Sequence, residues 1–578
     1  MKKIFYIAAA VLSVALLSGC DKFLDTQSLT KKDTSNFPVN ETDAEQMIAG
    51  IYASLNNNLH DPESDPFYIF DLASDDRLGG GSQSNVGAQA CDRLMNWEID
   101  ATLECWDHRY QGIFRANNAI ATIDNVESWS SSTVRDQLLG EAYFLRAFYY
   151  FNLAQVYGQV PLVLTTEAVN LPKAAADELY AQIASDLKAA INTCPSSRYP
   201  LFGEGHVSRW AAEGMMARVW LFYTGFYGKS DLPLAEGGSV TKAEVVSWLE
   251  DCINNSGHKL VSDQRNLWPY TNPYTAKDYP YARDNGLVWE TDENPESMFA
   301  VKMSNKASFS NDDLRHNRIV EFYNVRKGNA TAFPFNPTGY SNGPVCEAIW
   351  LDWAADPDYA GDYRREGSIC KRADELPDYP GDKAKEVENT DLLAKKYLGC
   401  GAYDGGTLYE SYAYFYGGEN NKQTGLTQAL VWLRFADVLL MHSELTDGKT
   451  IYNGKSGLNA VRARAGLDDM TYSLANLKKE RRYELCFEAL RWNDLRRWGD
   501  VEEIVKNQEG NNILNQGVEG KYQWQSNHPF MTRYQETGGG FRNIPESQIT
   551  LAEGVLEQNP GWGSEADYAK GDLPYYKK

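Results

Sequence analysis

Three glutamates, Glu480, Glu484 and Glu488, follow one another at a spacing of four residues. On a helix such carboxylates share one face, where they could bind a metal ion or exchange protons with a substrate. Arg481 and Arg482 lie between them and can neutralise the row. Structural ion pairing therefore explains this pattern better than catalysis or metal binding does.

Sequence motifs of hydrolytic, metal-dependent and nucleotide-binding enzymes are absent. The sequence has no HExxH, no GxSxG, no phosphate-binding glycine loop and no dinucleotide fingerprint. Cys105 and His108 share a helical spacing, but two ligands without a second pair do not make a metal site. Asp356, Asp358 and Asp362 lie in a turn that could hold calcium, but the bidentate glutamate of a helix-loop-helix site is missing. We expect no cofactor and no catalytic residue, and calcium binding stays open.

What remains is a surface that could bind a sugar. A pyranose presents an apolar face of C–H groups and a rim of hydroxyls, which suit flat aromatic rings together with Asp, Asn, Gln and Arg side chains. Two segments supply this mixture, and prolines stiffen the second, which reduces the ordering cost of binding. The candidate ligand contacts are Asp75, Asp76, Arg77, Asn96 and Trp97 in the first segment, and Trp268, Tyr270, Tyr274 and Trp289 in the second.

The amino terminus predicts export and lipidation. Two lysines precede an apolar run from Ile4 to Leu17, which is too short to cross a bilayer and is typical of a secretory signal. The sequence ending at Cys20, Leu-Ser-Gly-Cys, resembles the bacterial lipobox, in which cleavage before the cysteine is followed by its acylation. We expect a signal peptide over 1–19 and a lipidated tether over 20–41. The alternative is an ordinary secretory signal that happens to contain a cysteine.

Charge and composition argue against several other classes of protein. The chain carries 79 acidic and 56 basic residues, a net charge of −23, and shows no local basic patch, which disfavours nucleic-acid binding. No other segment reaches the length of apolar sequence that a membrane span needs. The eight cysteines after Cys20 form no CxxC pair, which argues against zinc. Outside the cytoplasm they could form disulfides, whose pairing the sequence does not give.

Hydrophobic periodicity predicts a mostly α-helical region over 42–255. A capping box beginning at Thr42 opens the first helix, whereas residues 61–100 are expected to form a loop. The longest apolar helix is predicted over Val134–Tyr157 and should lie at the centre of the fold, because it is apolar nearly all round. Successive helices of this length predict tetratricopeptide-like pairs without a strict repeat.

The second half of the chain, 256–578, has weaker periodicity. A long irregular, loop-rich insert is expected over 256–425, because Asn, Gly, Pro and Tyr dominate there. Helices return over 427–498, ending in one continuous helix over Leu474–Trp498, and a loop-rich tail follows.

Several segments resemble the SusD/RagB family of nutrient-binding outer-membrane lipoproteins, and they follow the family's order along the chain. They are Trp106-x3-Tyr110-x2-Ile113-x2-Ala116-Asn117, Glu141-Ala142-x3-Arg146-Ala147, Tyr157-Gly158-x-Val160-Pro161-Leu162, Leu433-Arg434-Phe435-Ala436-Asp437, Val461-Arg462-x-Arg464-Ala465-Gly466-Leu467, Glu480-Arg481-Arg482-x-Glu484-Leu485-x-Phe487-Glu488-x2-Arg491-x2-Asp494-Leu495-x-Arg497-Trp498-Gly499, Ile544-Pro545 and Gln558-Asn559-Pro560-Gly561-Trp562.

The resemblance implies a mostly α-helical, SusD-like fold with tetratricopeptide-like helix pairs and an irregular second half. It implies a non-catalytic protein, lipid-anchored at the outer membrane and facing the cell exterior. Such a protein would capture a nutrient, usually an oligosaccharide or polysaccharide, for a SusC-like TonB-dependent β-barrel transporter. Ligand contacts vary within the family, so none is carried over. Two alternatives stay open: a lipid-anchored glycoside hydrolase, which needs only two carboxylates, and a helical-repeat scaffold that binds only protein.

Overall fold

The structure is a computed structural model that describes residues 37–55, 62–197, 205–310, 315–328, 330–335, 338–524 and 529–563. The expected signal peptide, Cys20 and most of the expected tether lie outside these residues. In the part of the chain that is described, no helix is both long and apolar enough to span a bilayer.

The first half of the chain is built from helices that pack side by side. They are α1 (Glu41–Ala53), α2 (Pro66–Leu72), α3 (Val86–Asp92), α4 (Leu103–Thr122), α5 (Ser132–Tyr157), α6 (Ala176–Thr193), α7 (Arg209–Tyr227) and α8 (Lys242–Asn255). Each helix from α4 to α7 contacts the next one along the chain, and α1 packs on α4. The predicted mostly helical fold with tetratricopeptide-like pairs is confirmed.

Helix α5 lies at the centre, as its nearly continuous apolar sequence predicts. Its residues are almost all buried from Leu138 onward, and it ends at Gly158, whose φ of +77° favours glycine. Phe144 contacts Phe299 at 4.9 Å between ring centroids, and Phe148 contacts Trp432 at 5.1 Å. These rings join the helical half to the second half of the chain.

Two features of the N-terminal region differ from the prediction. Helix α1 is capped by Asn40, whose side chain accepts from the backbone N–H of Asp43 at 2.9 Å, and Thr42 lies inside the helix. The predicted loop over 61–100 contains the buried helices α2 and α3. Each is only seven residues long, too short to show a 3.6-residue period, although Asp65 caps α2 and Pro66 occupies its first position.

The second half carries short helices. They are α9 (Pro273–Ala276), α10 (Pro280–Asp284), α11 (Arg318–Tyr323), α12 (Glu347–Ala355), α13 (Arg364–Ser368), α14 (Arg372–Glu375), α15 (Ser411–Tyr416), α16 (Phe435–Leu445), α17 (Gly457–Arg464), α18 (Leu474–Leu485), α19 (Arg491–Trp498), α20 (Glu502–Gln508), α21 (Phe530–Glu536) and α22 (Glu546–Leu551).

The strands form antiparallel pairs. The pairs are β1 (Leu232–Pro233) with β2 (Ser239–Val240), β3 (Ser297–Val301) with β8 (Leu430–Arg434), β4 (Ile369–Lys371) with β5 (Leu392–Ala394), β6 (Gly401–Asp404) with β7 (Thr407–Glu410), β9 (Thr450–Tyr452) with β10 (Lys455–Ser456), and β11 (Asn512–Asn515) with β12 (Val518–Lys521). The β3–β8 pair joins segments that are far apart in sequence and so closes the insert onto the helices that follow it.

The predicted continuous helix over Leu474–Trp498 is wrong in its middle. Helix α18 ends at Leu485 and α19 begins at Arg491. Between them Phe487 has φ +63° and Ala489 has φ +59°, values that an α-helix does not contain. In this link the carboxylate of Glu488 pairs with the buried side chains of Lys396 and Arg434. These ion pairs outweigh the local preference for helix.

The glutamate row is buried and paired, as the ion-pair interpretation predicts, but its partners come from distant parts of the chain. Arg364 Nη1 lies 2.7 Å from Glu480 Oε1 and 2.8 Å from Glu484 Oε2. Arg434 lies 2.6 Å from Glu484 through Nη1 and 2.6 Å from Glu488 through Nε. The arginines interleaved with the row pair with other carboxylates. The row thus holds the second half of the chain together.

Candidate functional site

The first predicted segment flanks α3: Asp75, Asp76 and Arg77 precede this helix, and Asn96 and Trp97 follow it. Its acidic side chains are already paired. Asp75 is buried and accepts from Arg491 Nε at 2.8 Å and from Asn507 Nδ2 at 2.7 Å. Asp76 accepts from Arg482 Nε at 2.7 Å. Burial alone would raise the pKa of Asp75, but the guanidinium groups of Arg482 and Arg491 outweigh it and hold that pKa well below its usual range. These carboxylates fix the segment to α18 and α19.

The remaining candidates of the first segment differ in exposure. Arg77 is buried, pairs with Asp71 at 2.6 Å and donates to the carbonyl of Gly343 at 2.6 Å. Asn96 is buried as well. Trp97 is half-buried and therefore keeps some surface for a ligand. The ligand roles of these residues stay predictions.

The second predicted segment contributes mainly buried rings. Trp268, Tyr270 and Trp289 are 2%, 0% and 7% exposed, so in this conformation their faces pack against protein. The Tyr270 hydroxyl donates to the carbonyl of Gly367 at 2.8 Å. Tyr274 is half-buried and presents part of its ring to solvent. Truncating Trp268 or Tyr270 would open a cavity in the core, so a loss of binding in such variants would not identify a contact.

Sequence reasoning overlooked a groove of about 650 Å³ beside the first segment. Its lining residues are Arg372, Ala373, Leu376, Pro377, Asp378, Tyr379, Pro380, Lys383, Glu386, Asn389, Asp391, Leu514 and Gly517. The groove adjoins the first segment because Ser82 bridges to Glu386. A second bridge joins Asn389 to Leu514 of β11 and so places the β11–β12 hairpin beside the groove.

Arg372 organises the buried floor of the groove. Its backbone N–H donates to the carbonyl of Asp391 at 2.9 Å, and its Nη1 donates to Glu386 Oε2 at 3.2 Å. Its guanidinium carbon lies 4.9 Å from the centroid of the Tyr379 ring. Burial raises the pKa of the Asp391 carboxyl, and the nearby Arg372 only partly offsets this. The floor is thus held in place before any ligand arrives.

The rim of the groove mixes polar and apolar groups. Asp378 and Lys383 are exposed, and Asn389 is half-buried, so hydrogen-bond donors and acceptors both face solvent. Pro377 and Leu514 contribute apolar surface to the wall of the groove. Such a lining suits a neutral, hydroxyl-rich molecule with apolar faces. The Pro-Asp-Tyr-Pro run at 377–380 was the sequence signal that could have indicated it, since it combines stiffening prolines with an aromatic ring.

The described residues contain no group of three or more His, Cys, Asp or Glu side chains placed to hold a metal ion. The Asp356–Asp362 turn is tied into the protein instead. Asp362 accepts from Arg364 Nη2 at 2.8 Å and from the Trp353 indole at 3.1 Å. These contacts hold the turn by hydrogen bonds and an ion pair.

Two family models match the chain. One, described as starch-binding and associating with the outer membrane, covers residues 22–221, and the other, described as the SusD family, covers residues 401–562. The two matches fall on the N-terminal helices and on the part of the chain that contains α15 to α22.

Curated relatives match over much of the chain. SusD-like protein P25 of Formosa agariphila is 22% identical over 553 residues, which are 88% of this chain and 92% of that protein. A SusD-like protein of Bacteroides ovatus is 22% identical over 431 residues, 68% of this chain and 65% of that protein.

Solved structures share the fold. A laminarin-binding SusD-like protein superposes with a TM-score of 0.67 at 24% identity and covers 91% of this chain and 100% of its own. Surface glycan-binding protein A from Bacteroides thetaiotaomicron, in complex with laminarihexaose, has the same TM-score and coverage at 19% identity. Both family models and these structures agree with the motifs read from the sequence: the chain belongs to the SusD/RagB family.

Proposed function

We propose that this protein is a non-catalytic, cell-surface lipoprotein that binds an oligosaccharide or polysaccharide and delivers it to a SusC-like TonB-dependent transporter. The groove over Arg372–Asp391 is the observation that carries the binding proposal, because its pre-ordered floor and mixed rim suit a sugar chain. Two solved structures of the same fold are named for laminarin binding and for a laminarihexaose complex, which makes laminarin the first ligand to test.

Calorimetric titration of the purified protein against a panel of polysaccharides, beginning with laminarin and starch, tests the binding proposal. We expect saturable binding of at least one glycan and no change in its chain length on prolonged incubation. A shortened glycan would identify a hydrolase instead. Absence of binding across the panel, with a protein partner recovered from the membrane, would favour a scaffold.

The anchor and the partner are separate parts of the proposal. Acylation at Cys20 predicts that mass spectrometry finds a lipid-modified amino-terminal cysteine and that the Cys20→Ser variant leaves the membrane fraction. An unmodified amino terminus would overturn the anchor. Purification from detergent-solubilised membranes should recover a large β-barrel protein, and failure to do so would overturn the transporter partnership.

A further inference from the structure

A cluster of half-buried tyrosine rings lies outside the groove, on elements that contribute nothing to its lining. Its members are Tyr274 of α9, Tyr409 of β7 and Tyr414 of α15, called here the tyrosine patch. The ring centroids of Tyr274 and Tyr414 are 4.6 Å apart, and those of Tyr409 and Tyr414 are 5.4 Å apart. Three segments of the chain thus bring partly exposed aromatic rings to one place.

The patch rests on a rigid base. Phe415 of α15 packs edge-on against Trp289, with 5.1 Å between ring centroids. Tyr412, on the buried side of the same helix, donates from its hydroxyl to Asp292 Oδ1 at 3.2 Å. Because these contacts fix α15, the exposed rings lose little conformational freedom when they bind a ligand.

The edge of the patch is polar. The Tyr414 hydroxyl donates to Asp404 Oδ2 at 3.0 Å, and Asp404 is exposed at the β6–β7 turn. Lys277 is also exposed and donates to the carbonyl of Tyr403 at 2.8 Å. Aromatic faces bordered by a carboxylate, an ammonium group and phenolic hydroxyls match the apolar face and hydroxyl rim of a pyranose.

We propose that the tyrosine patch is a second carbohydrate-binding site, which engages a pyranose in a remote part of the same glycan chain whose other part lies in the groove. The inference rests on the proposed function of the groove and specifies the substrate class as a polymer rather than a short oligosaccharide. A chain long enough to reach both sites binds the second one at high effective concentration, so its affinity exceeds that of a fragment held in the groove alone.

Affinity as a function of glycan length tests this inference. The probes are laminarin, or whichever polysaccharide of the panel binds most tightly, and its hexasaccharide. The Tyr274→Ala/Tyr409→Ala variant should bind the polymer on the order of tenfold or more weakly and the hexasaccharide as the unmodified protein does. The Tyr274→Phe/Tyr409→Phe variant, which keeps both ring faces, should retain most of the polymer affinity.

Two controls separate the possible outcomes. Phe114→Ala removes an exposed aromatic ring on α4, outside the patch, and should leave both affinities unchanged. Lys383→Ala/Asn389→Ala alters the groove rim and should weaken both affinities. Equal affinity of the patch variant and the unmodified protein for the polymer would overturn the second site alone. Absence of any binding by the unmodified protein would overturn the proposed function and this inference with it.

Discussion

The guanidinium group of Arg434 donates to both carboxylate oxygens of Glu488, with 2.6 Å between Nε and Oε2 and 2.9 Å between Nη2 and Oε1. Arg434 ends β8, and Glu488 occupies the non-helical link between α18 and α19. Both side chains are buried, and Lys396 Nζ donates to Glu488 Oε1 at 2.7 Å. The two hydrogen bonds between Arg434 and Glu488 fix the non-helical link between α18 and α19 against the end of β8.

Replacing Arg434 with methionine should destabilise the protein strongly. The change leaves Glu488 with Lys396 alone and removes one of the three arginines that pair with Glu484. Breaking a buried ion pair from one side costs about 3–5 kcal/mol. The free energy of unfolding, measured by denaturant titration, provides the test. Arg135→Ala removes a half-buried arginine that pairs with the exposed carboxylate of Asp124 at the surface, and should cost far less. Equal effects of the two variants would contradict a structural role for the buried network.

Asp92 should make stability depend on pH. Burial raises the pKa of this carboxyl to about 7; Arg93 opposes the shift and Glu388 adds to it. The folded protein therefore binds the Asp92 proton more tightly than the unfolded chain does. The stability that this proton contributes to the folded state is complete below about pH 4 and is lost as the pH rises towards 7.

The Asp92→Asn variant should therefore gain stability relative to the unmodified protein between about pH 4 and pH 7, by at most about 1.4 kcal/mol per pH unit. Its amide oxygen can take the place of Oδ1, which accepts from Gln508 Nε2 at 2.9 Å, and its amide nitrogen can donate to the Tyr522 hydroxyl, which lies 2.9 Å from Oδ2. The backbone N–H of Gly79, which donates to Oδ2 at 3.2 Å, then loses its acceptor, a cost that is the same at every pH. Denaturant titrations across this pH range provide the measurement. If the free energies of unfolding of the two proteins changed in parallel with pH, a raised pKa of Asp92 would be excluded.

The eight described cysteines should behave as buried thiols. All are free in the structure, and burial raises the pKa of Cys105 and of Cys486 to about 11. A thiol reagent should label none of the eight in the native protein and all of them after denaturation. Dithiothreitol should leave the thermal midpoint unchanged, whereas a lowered midpoint would reveal a disulfide.

Removing a rim amide should weaken glycan binding. The Asn389→Ala variant loses an amide that donates to Glu386 Oε2 and accepts from the backbone N–H of Asp391 at 2.7 Å, together with the hydrogen-bonding capacity that this amide has left for a ligand. A hydrogen bond to the ligand contributes about 0.5–1.5 kcal/mol, or roughly twofold to tenfold in Kd. The matched variant Asn254→Ala removes an exposed amide near the end of α8 and should bind normally. Equal affinities of these two variants would show that the ligand does not contact this part of the groove rim.

The sequence alone determined the long helices of the first half of the chain and the chain's family. The segment Val134–Tyr157 is apolar nearly all round and is longer than an ordinary strand, and the observed helix α5 spans Ser132–Tyr157. The terminating glycine at 158 was equally readable, because its positive φ is a local property. Patterns of this kind depend on neighbours within a few residues, so they can be interpreted from the sequence without knowledge of the fold.

Only the tertiary structure decided which polar groups meet. Asp75, a predicted ligand contact, is buried and pairs with Arg491 across 416 residues of sequence. The groove likewise needs the 372–391 segment and Leu514 to come together, and no periodicity links them. A charged side chain takes whichever partner the path of the chain places within reach, and its burial sets the strength of that pairing. The composition of a loop indicates what it could bind, whereas packing determines which of its side chains remain exposed to do so.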